Sequence, residues 1–417
     1  MTELRHRSAV SPLRRSVPGR AARPVGRPVA RPAVDAIVHA NRPDEPLHCL
    51  RPSVLAGAAA DFVAALPGDV LYAVKCNPEP AVLRALWAGG VRHFDCASPA
   101  EIRLVRQLLP EAAVHYMHPV KGRSAIRSAW REQGVRDFSL DSMEELEKIV
   151  EETGEEAGLG LFVRLIPPKA ATLYDLSGKF GATPEAAVAL LRRARAVAER
   201  VGICFHVGSQ CMEPAAYARA IALAASVAAE AGVAIDVLDV GGGFPVSYPD
   251  VVPPPLGDFM AAIRTAFAAS GLPAHCRLWA EPGRALVAPG VSVVVQVQHR
   301  RGDALFVNDG VYGSLSDAGA PRFRFPTRLV RPDGGSDAAE KAFHFFGPTC
   351  DSADRMEGPF LLPADVREGD WIEIGQLGAY GAALRTAFNG FDQARLVEVR
   401  DPPLIETPGY GQLARAA

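Results

Sequence analysis

The sequence predicts an α/β fold in which a (β/α)8 TIM-like barrel is followed by a C-terminal antiparallel β-domain. From residue 70 onward, an apolar run, a polar or glycine-containing loop and an alanine- and leucine-rich segment repeat eight times. This alternation also fits a doubly wound sheet, but a polar or glycine residue follows nearly every apolar run, as a site at the mouth of a barrel requires. After Arg284 the apolar residues alternate with period two, which is typical of half-buried strands.

Eight short apolar runs are the expected barrel strands, at 70–74, 91–95, 113–117, 137–140, 159–165, 203–207, 235–240 and 276–280. Helix starts between them are well marked. Ser98 and Ser142 each precede a glutamate by three residues, which is a capping-box pattern. Asn77 and Pro78 predict a helix directly after the first strand, and 215–231 is an alanine-rich helix.

Three segments are expected along the chain. Residues 1–32 are rich in Arg, Pro, Ser and Ala without a hydrophobic period, which predicts a disordered tail. Residues 33–284 are predicted to form the barrel, although its first part, 33–50, is also a candidate for pairing with the second domain. Residues 285–417 are the expected β-domain, with strands at 291–298, 304–307, 370–374 and 396–399 and Pro- and Gly-rich loops between the second and third.

Composition and charge exclude several classes of protein. With 48% hydrophobic and 22% charged residues, the 417-residue chain is typical of a globular protein of two or three domains. Eight arginines against one acid make residues 1–34 basic, so the rest of the chain is acidic, which argues against nucleic acid as the main partner. No apolar run suits a membrane span or a signal peptide, so we expect a cytoplasmic protein. Seven cysteines without a C-x-x-C pair predict neither a disulfide framework nor a metal site.

Lys75 is the first candidate for a catalytic residue. It ends the apolar run at 70–74, at the edge where barrels carry their sites, and a partly desolvated lysine there can form a Schiff base. Most lysines at strand ends are simply solvated, so this position decides nothing by itself.

A phosphate site is predicted at the seventh and eighth strands. The glycine run at 241–243 leaves backbone N–H groups free to face an anion. Gly283 and Arg284 follow the eighth strand, where barrels often bind phosphate, and hydroxyls of Ser209 and Tyr380 can add to the site. A triple glycine is most often only a loop, so the prediction depends on these parts occurring together.

A lysine at the first strand and a phosphate site at the last two indicate pyridoxal phosphate, whose aldehyde reacts with lysine and whose phosphate is held by backbone amides. Glu281 would then face the pyridine nitrogen and keep it protonated; the alternative is a salt bridge with Arg284. His206 would lie flat against the ring, although a lone histidine is more often a buried structural residue.

Nine motifs, in order along the chain, resemble those of the ornithine decarboxylase branch of the barrel-type (fold type III) pyridoxal-phosphate-dependent decarboxylases. They are YAVKCN at 72–77, FDCAS at 94–98, FHVGSQ at 205–210, LDVGGGFP at 238–245, EPGR at 281–284, VNDGVYGS at 307–314, FGPTCDSAD at 346–354, GAY at 378–380 and FNGF at 388–391. The resemblance spans about residues 35–400. It implies an alanine racemase-like fold, decarboxylation of a basic L-amino acid, and a homodimer whose two active sites are shared between subunits.

The resemblance also implies a role for each matching residue. Cys350 would return a proton to the α-carbon, and Asp351 would pair with the distal ammonium of the substrate. Lys179 and Asp354 would form a salt bridge between subunits. The cofactor would be held by a set comprising Lys75, Asp95, Arg164, His206, Ser209, Gly241, Gly242, Gly243, Glu281, Gly283, Arg284 and Tyr380.

The expected substrate is ornithine, which gives putrescine, with lysine second. Eukaryotic relatives carry a second acidic residue nine positions after the tyrosine of VYGS, whereas Pro321 stands nine positions after Tyr312 here. Asp317 lies nearer to Tyr312 and is a candidate for binding the distal ammonium of the substrate. The alternative is that fewer acidic residues contact this ammonium. Gln210 in FHVGSQ is a residue that diaminopimelate decarboxylases often have at this position. The motif CDSAD at 350–354, however, resembles that of the ornithine branch. An inactive binder resembling antizyme inhibitor is least expected, because the catalytic residues are all present.

Overall fold

The computed structural model describes residues 31–154, 157–170, 172–174 and 178–406. The predicted tail at 1–32 lies almost wholly outside the described residues, so its disorder stays a prediction. The helices are α1 (Val34–Asn41), α2 (Pro52–Ala65), α3 (Pro80–Ala88), α4 (Pro99–Leu108), α5 (Arg123–Arg131), α6 (Met143–Thr153), α7 (Pro184–Val197), α8 (Pro214–Ala231), α9 (Leu256–Ala269) and α10 (Arg284–Val287). The strands are β1 (Leu47–Leu50), β2 (Asp69–Ala73), β3 (His93–Cys96), β4 (Ala113–Tyr116), β5 (Asp137–Leu140), β6 (Gly160–Leu165), β7 (Thr172–Tyr174), β8 (Arg200–Phe205), β9 (Ser209–Cys211), β10 (Val237–Asp239), β11 (Arg277–Ala280), β12 (Val291–Arg301), β13 (Ala304–Val307), β14 (Thr327–Val330), β15 (Glu340–Phe346), β16 (Arg355–Pro363), β17 (Trp371–Ile374) and β18 (Arg395–Glu398).

Eight parallel strands close into a barrel in the order in which they occur along the chain. The order runs from β2 through β3, β4, β5, β6, β8 and β10 to β11, which pairs back with β2. The predicted capping serines start two of the outer helices, since Ser98 accepts the backbone N–H of Glu101 and Ser142 accepts that of Glu145. The predicted barrel is confirmed. No described helix is both long and apolar enough to cross a bilayer.

The interior of the barrel carries a polar network at the amino ends of the strands. His93 Nδ1 lies 3.0 Å from His115 Nε2, and His115 Nδ1 lies 2.7 Å from Asp137 Oδ2. An apolar cluster covers this network, with Phe162 and Trp279 stacked at 5.0 Å and His115 against the edge of the Trp279 ring. The polar network is therefore packed against the apolar cluster inside the barrel.

The second domain is a mixed β-sheet. Its main path is β14-β17-β12-β13-β15-β16, and β1, from the segment 33–50, pairs antiparallel with β12. The predicted two-domain fold is confirmed, but β13 runs parallel to β15 and β1 runs parallel to β18. The sheet is thus not wholly antiparallel, because alternation along a strand shows which residues face the core and not the direction of its neighbour.

Three strands of this domain, β14, β15 and β16, lie where the sequence indicated loops. Burial alternates only in the second half of β15, after three exposed residues. β16 contains Gly358 and Pro359, two residues that normally argue against a strand.

Arg51 joins the start of α2 to the sheet. Its Nη2 lies 2.9 Å from Glu373 Oε1 on β17, and both side chains are 1% exposed. Its Nη1 donates to Ser292 Oγ at 2.9 Å, and its Nε donates to the backbone oxygen of Asp401 at 2.9 Å. Arg328 Nε donates to the other oxygen of Glu373 at 2.6 Å. Every charge in this cluster has a partner inside the protein.

We expect Arg51→Met to lower the free energy of unfolding by about 3–5 kcal/mol, because the buried carboxylate of Glu373 then loses a charged partner. Urea unfolding checks this. The matched control is Asp333→Asn, which breaks an ion pair of equal length with Arg42 whose side chains are 58% and 72% exposed; it should cost less than about 1 kcal/mol. Equal losses in the two variants would contradict the prediction.

Candidate active site

Lys75 lies at the carboxyl end of β2, in a 3-10 helix that spans Val74–Cys76. Its Nζ is 3.5 Å from Oδ2 of Asp95, which lies near the end of β3 and is almost fully buried. The Asp95 charge raises the pKa of Lys75 above its ordinary value, against the opposing effect of desolvation. The amine is therefore a cation held at the barrel mouth.

The helix after Lys75 begins later than predicted. α3 starts at Pro80, and Asn77 is not its cap. Instead the Asn77 side chain accepts the backbone N–H of Glu79 at 3.1 Å and donates to the carbonyl of Gly378 at 2.8 Å. The residues between β2 and α3 are thus tied to the segment that carries Tyr380.

The glycine run after β10 is a close-packed cradle. A Cβ at Gly242 would lie 2.7 Å from the Glu281 carbonyl oxygen, and one at Gly243 would lie 2.4 Å from that of Gly208. Gly241 also has φ of +67°, a left-handed conformation. Backbone at this point can approach a ligand where side chains could not.

Arg284 lies at the start of α10 and is 7% exposed. Its Nη1 donates to the Tyr248 hydroxyl at 2.8 Å and its Nη2 to Asp317 Oδ2 at 2.9 Å. Its Nε is buried and has no partner among the described residues. The pairing of Arg284 is with Asp317, and the salt bridge with Glu281 that the sequence left open is not seen in the described chain.

Tyr380 completes this side of the site. It has φ of +62°, unusual for an aromatic residue, and its backbone N–H donates to the carbonyl of Cys76 at 2.8 Å. The Arg284 guanidinium lies 5.1 Å from its ring centre. This strained backbone brings the segment between β17 and β18 back to the barrel mouth.

His206 follows β8 and lines the same pocket. Its Nδ1 accepts the backbone N–H of Gly208 at 3.0 Å, which fixes the orientation of the ring. Burial, with the charges of Arg164 and Lys75, lowers the pKa of His206 to about 3. The ring is neutral at every ordinary pH.

This shift makes the cofactor-free protein sensitive to acid. A lowered folded-state pKa gives stability that is complete above the unfolded value of 6.5 and is lost as the pH falls from there toward about 3. Between pH 7 and pH 5, wild type should lose about 2 kcal/mol more than His206→Gln. Urea unfolding of both proteins at the two pH values measures this, and parallel losses would contradict it.

Three carboxyl groups meet on the inner side of the pocket. Glu281 follows β11, and burial, with the charges of Asp239 and Asp95, raises its pKa well above the ordinary value. Burial also raises the pKa of Asp239 to about 6. The carboxyl groups of Glu281 and Asp239 can therefore carry a proton, and Glu281 lies close to the Lys75 ammonium.

One pocket brings together most of the predicted cofactor residues. It is lined by Lys75, Arg164, His206, Ser209, Gly242, Gly243, Glu281, Gly283, Arg284 and Tyr380, together with Ala73 and Phe244. Gly241 and Asp95 are not among the lining residues; Gly241 packs against the backbone of Phe205, and Asp95 pairs with Lys75. Cys350 and Asp351 lie elsewhere, in a cavity of the sheet domain.

Hydrogen bonds within the same chain hold the loop that carries Cys350. Asp354 is 1% exposed, and it accepts the backbone N–H groups of Val311 and Thr349 and the Thr349 hydroxyl. Asp351 accepts a hydrogen bond from the Tyr312 hydroxyl at 2.5 Å.

Lys179 is exposed, with its Nζ 5.0 Å from the Phe180 ring centre. Its ion pair with Asp354 stays a prediction.

Two family descriptions match the chain in succession. Residues 55–288 match the pyridoxal binding domain of the pyridoxal-dependent decarboxylases, and residues 286–378 match their C-terminal sheet domain. The chain belongs to the pyridoxal-dependent decarboxylases. It is an enzyme of the carboxy-lyase class, and the predicted family, cofactor and type of reaction are confirmed.

Individual relatives cover most of the decarboxylase. It is 32% identical over 343 residues to the lysine/ornithine decarboxylase of Selenomonas ruminantium, which covers 80% of this chain and 84% of that one. It is 33% identical over 390 residues to the ornithine decarboxylase of Panagrellus redivivus, with 87% of each covered. The solved lysine/ornithine decarboxylase of Vibrio vulnificus, complexed with putrescine, superposes with a TM-score of 0.75 at 33% identity and covers 88% of this chain and 97% of its own.

The residues of the decarboxylase fit pyridoxal phosphate. The unpartnered Nε of Arg284 suits a phosphate, because it is a buried donor without an acceptor. Gly242 and Gly243 also suit one, since they place backbone N–H groups where a Cβ could not be accommodated. Lys75 supplies the amine for the aldehyde, and the Glu281 carboxyl suits a pyridine nitrogen.

Sequence reasoning missed two polar residues here, Asp239 and Tyr248. Asp239 was counted within the apolar run 235–240, and its position two residues before the glycine run was the available signal. Tyr248 had no signal, since its contact with Arg284 joins a loop residue to the start of a helix 36 residues later.

Proposed function

We propose that the enzyme removes the α-carboxylate of a basic L-amino acid, with ornithine converted to putrescine and CO2, and with lysine as the second substrate. The observation that supports this most directly is the pairing of the Lys75 ammonium with Asp95 in the pocket that also holds Glu281 and Arg284. An amine, an acid for a pyridine nitrogen and a cation for a phosphate converge on one cavity at the barrel mouth.

Bound pyridoxal phosphate supplies the electron sink that takes up the electron pair left when CO2 departs. Arg284 and the N–H groups of the glycine cradle hold the phosphate end. Neutral His206 presents an uncharged ring face, and Glu281 holds a proton at the pyridine nitrogen. Lys75, kept charged by Asp95, is the group whose Nζ carries and releases a proton as substrate exchanges.

Asp351 is the proposed partner of the distal ammonium. The backbone N–H of Ala353 and the Tyr312 hydroxyl donate to its carboxylate, and these hydrogen bonds hold its pKa below the ordinary value. It is therefore an oriented anion at neutral pH. The carboxylate of Asp317 is already paired with Arg284, so we assign Asp317 to the phosphate side and the recognition of the distal group to Asp351, with Tyr312 as its support.

The proposed enzyme works as a homodimer with shared sites. Within one chain, Cys350 and Asp351 line a cavity of the sheet domain and not the pocket of Lys75. Cys350 is the exposed cysteine among six buried ones. A partner subunit that supplied this loop would bring a thiol proton donor and an anion to the barrel mouth, with Lys179 and Asp354 paired across the interface.

We also propose that the enzyme acts in the cytoplasm. All seven cysteines are free thiols, and six of them are buried. A chain of this size without disulfides is typical of a reducing compartment.

A comparison of kcat/KM for ornithine, lysine, arginine and diaminopimelate tests the substrate, because specificity is a ratio of these values. Ornithine should rank first and lysine second. Diaminopimelate should rank last, since its distal carboxylate would face the carboxylate of Asp351. A kcat/KM for diaminopimelate above that for ornithine would overturn the proposal. A higher kcat/KM for lysine than for ornithine would make lysine the main substrate and ornithine the second.

A further inference from the structure

Asp239 is a fully buried acid directly beneath the pocket. It ends β10, where its Cα pairs with Trp279 of β11 on one side and with Cys204 of β8 on the other. Its exposure is 0%. Its Oδ1 accepts the backbone N–H of Gly241 at 2.8 Å, so one oxygen is fixed by the start of the glycine cradle.

The other oxygen of Asp239 lacks a hydrogen-bond donor. Oδ2 is buried and has no donor among the described residues. Glu281 lies two residues beyond Trp279, the β11 partner of Asp239, and its backbone N–H donates to the carbonyl of Gly241 at 2.8 Å. The Glu281 carboxyl is therefore on the same face of the barrel wall as that of Asp239 and close to it. Two carboxylate oxygens cannot bond to each other unless one of them carries a proton, and an unpaired buried acceptor is costly. One shared proton satisfies both groups.

We propose that Asp239 is the positioning residue of Glu281, and that the two carboxyl groups share one proton which holds Glu281 toward the pyridine nitrogen. This inference rests on the proposed role of Glu281. The pair then carries a single negative charge, which matches the single positive charge of a protonated pyridine ring. The second oxygen of Glu281 stays free to accept from that ring nitrogen.

The surroundings favour this single charge. The titratable and charged groups that face the pair are Asp95, Lys75, Arg164, His115 and Cys204. Burial raises the pKa of both carboxyl groups, and the Asp239 charge raises that of Glu281 further. Hydrogen bonding with Glu281 opposes the rise at Asp239, as expected when Glu281 carries the proton and Asp239 accepts it. A second negative charge on the pair would have to be created beside the fully buried Asp239 and next to the Asp95 carboxylate.

Cofactor affinity tests the inference without relying on turnover. Binding of pyridoxal phosphate is compared with binding of its carba analogue, in which CH replaces the ring nitrogen. Wild type should prefer the cofactor, and Asp239→Ala should reduce that preference about tenfold, as loss of a supporting hydrogen bond does at other ligand sites. Asp239→Asn should keep the preference, because its amide can donate to Glu281 and its oxygen can accept from Gly241.

Two further variants make the outcome decisive. Cys204→Ala, a change at the neighbouring buried position on β8, should leave the preference unchanged. Glu281→Ala should abolish it. If Glu281→Ala abolishes the preference and Asp239→Ala does not alter it, the inference is overturned and the role of Glu281 stands. If Glu281→Ala has no effect, the role of Glu281 and the inference are both overturned.

Infrared spectroscopy detects the shared proton directly and needs only the isosteric variant. At pH 7 the difference spectrum of cofactor-free wild type minus Asp239→Asn should contain the band of a protonated carboxyl, shifted in 2H2O. Since asparagine donates a hydrogen bond without an added proton, this band is absent from the variant. A difference spectrum without it would overturn the inference, even if Asp239→Ala failed to fold.

Discussion

Lys75→Ala is expected to lower kcat/KM on the order of 10³- to 10⁴-fold and to remove the visible absorbance of bound cofactor. The variant removes the amine that Asp95 holds at the barrel mouth, so both covalent attachment of the cofactor and proton movement at that position are lost. The phosphate contacts of Arg284 and the glycine cradle remain, so the protein should still bind the cofactor, only without the covalent link. Absorbance after dialysis and steady-state decarboxylation measure the two effects.

A second lysine provides the matched control. Lys341 is 44% exposed and pairs with Asp303, whereas Lys75 is 46% exposed and pairs with Asp95. Lys341→Ala removes an equally exposed ammonium, also paired with an aspartate, from the sheet domain and should leave absorbance and turnover unchanged. A Lys75→Ala protein that kept its absorbance through dialysis would mean that another amine binds the cofactor.

The barrel was predictable because its signals are local. Each strand is buried on both faces, so it reads as a continuous apolar run, and the serine caps lie three residues from the N–H groups they accept. The glycine cradle was predictable for the same reason, since its three residues are adjacent.

What could not be predicted depends on distant partners. Arg284 and Asp317 are 33 residues apart, and nothing in either local sequence indicates their ion pair. Asp239 escaped notice because it was counted within an apolar strand, and nothing in the local sequence indicates that Glu281, 42 residues later, lies close to it. The sheet domain was predicted least completely, because β15 and β16 carry exposed or strand-breaking residues within their length.

The second large effect is expected on mixing two inactive variants. Lys75→Ala and Cys350→Ala each remove one predicted catalytic group, and each group lies in a different cavity of the chain. In a mixed dimer with shared sites, one site carries both substitutions and the other carries neither. Random exchange of equal amounts makes about half of the dimers mixed, so about a quarter of the wild-type activity should return. Steady-state decarboxylation after subunit exchange measures this.

A second mixture distinguishes shared sites from simple stabilisation of one variant by the other. Lys75 and Glu281 line the same pocket of one chain, so a mixed dimer of Lys75→Ala and Glu281→Ala carries one substitution in each site. That mixture should stay inactive at every ratio. If neither mixture regains activity although exchange has occurred, Cys350 serves the pocket of its own chain, and its loop must then reach a barrel mouth from which it is separate in this structure. If both mixtures regain activity, the restored function comes from the assembly of the dimer and not from complementary halves of one site.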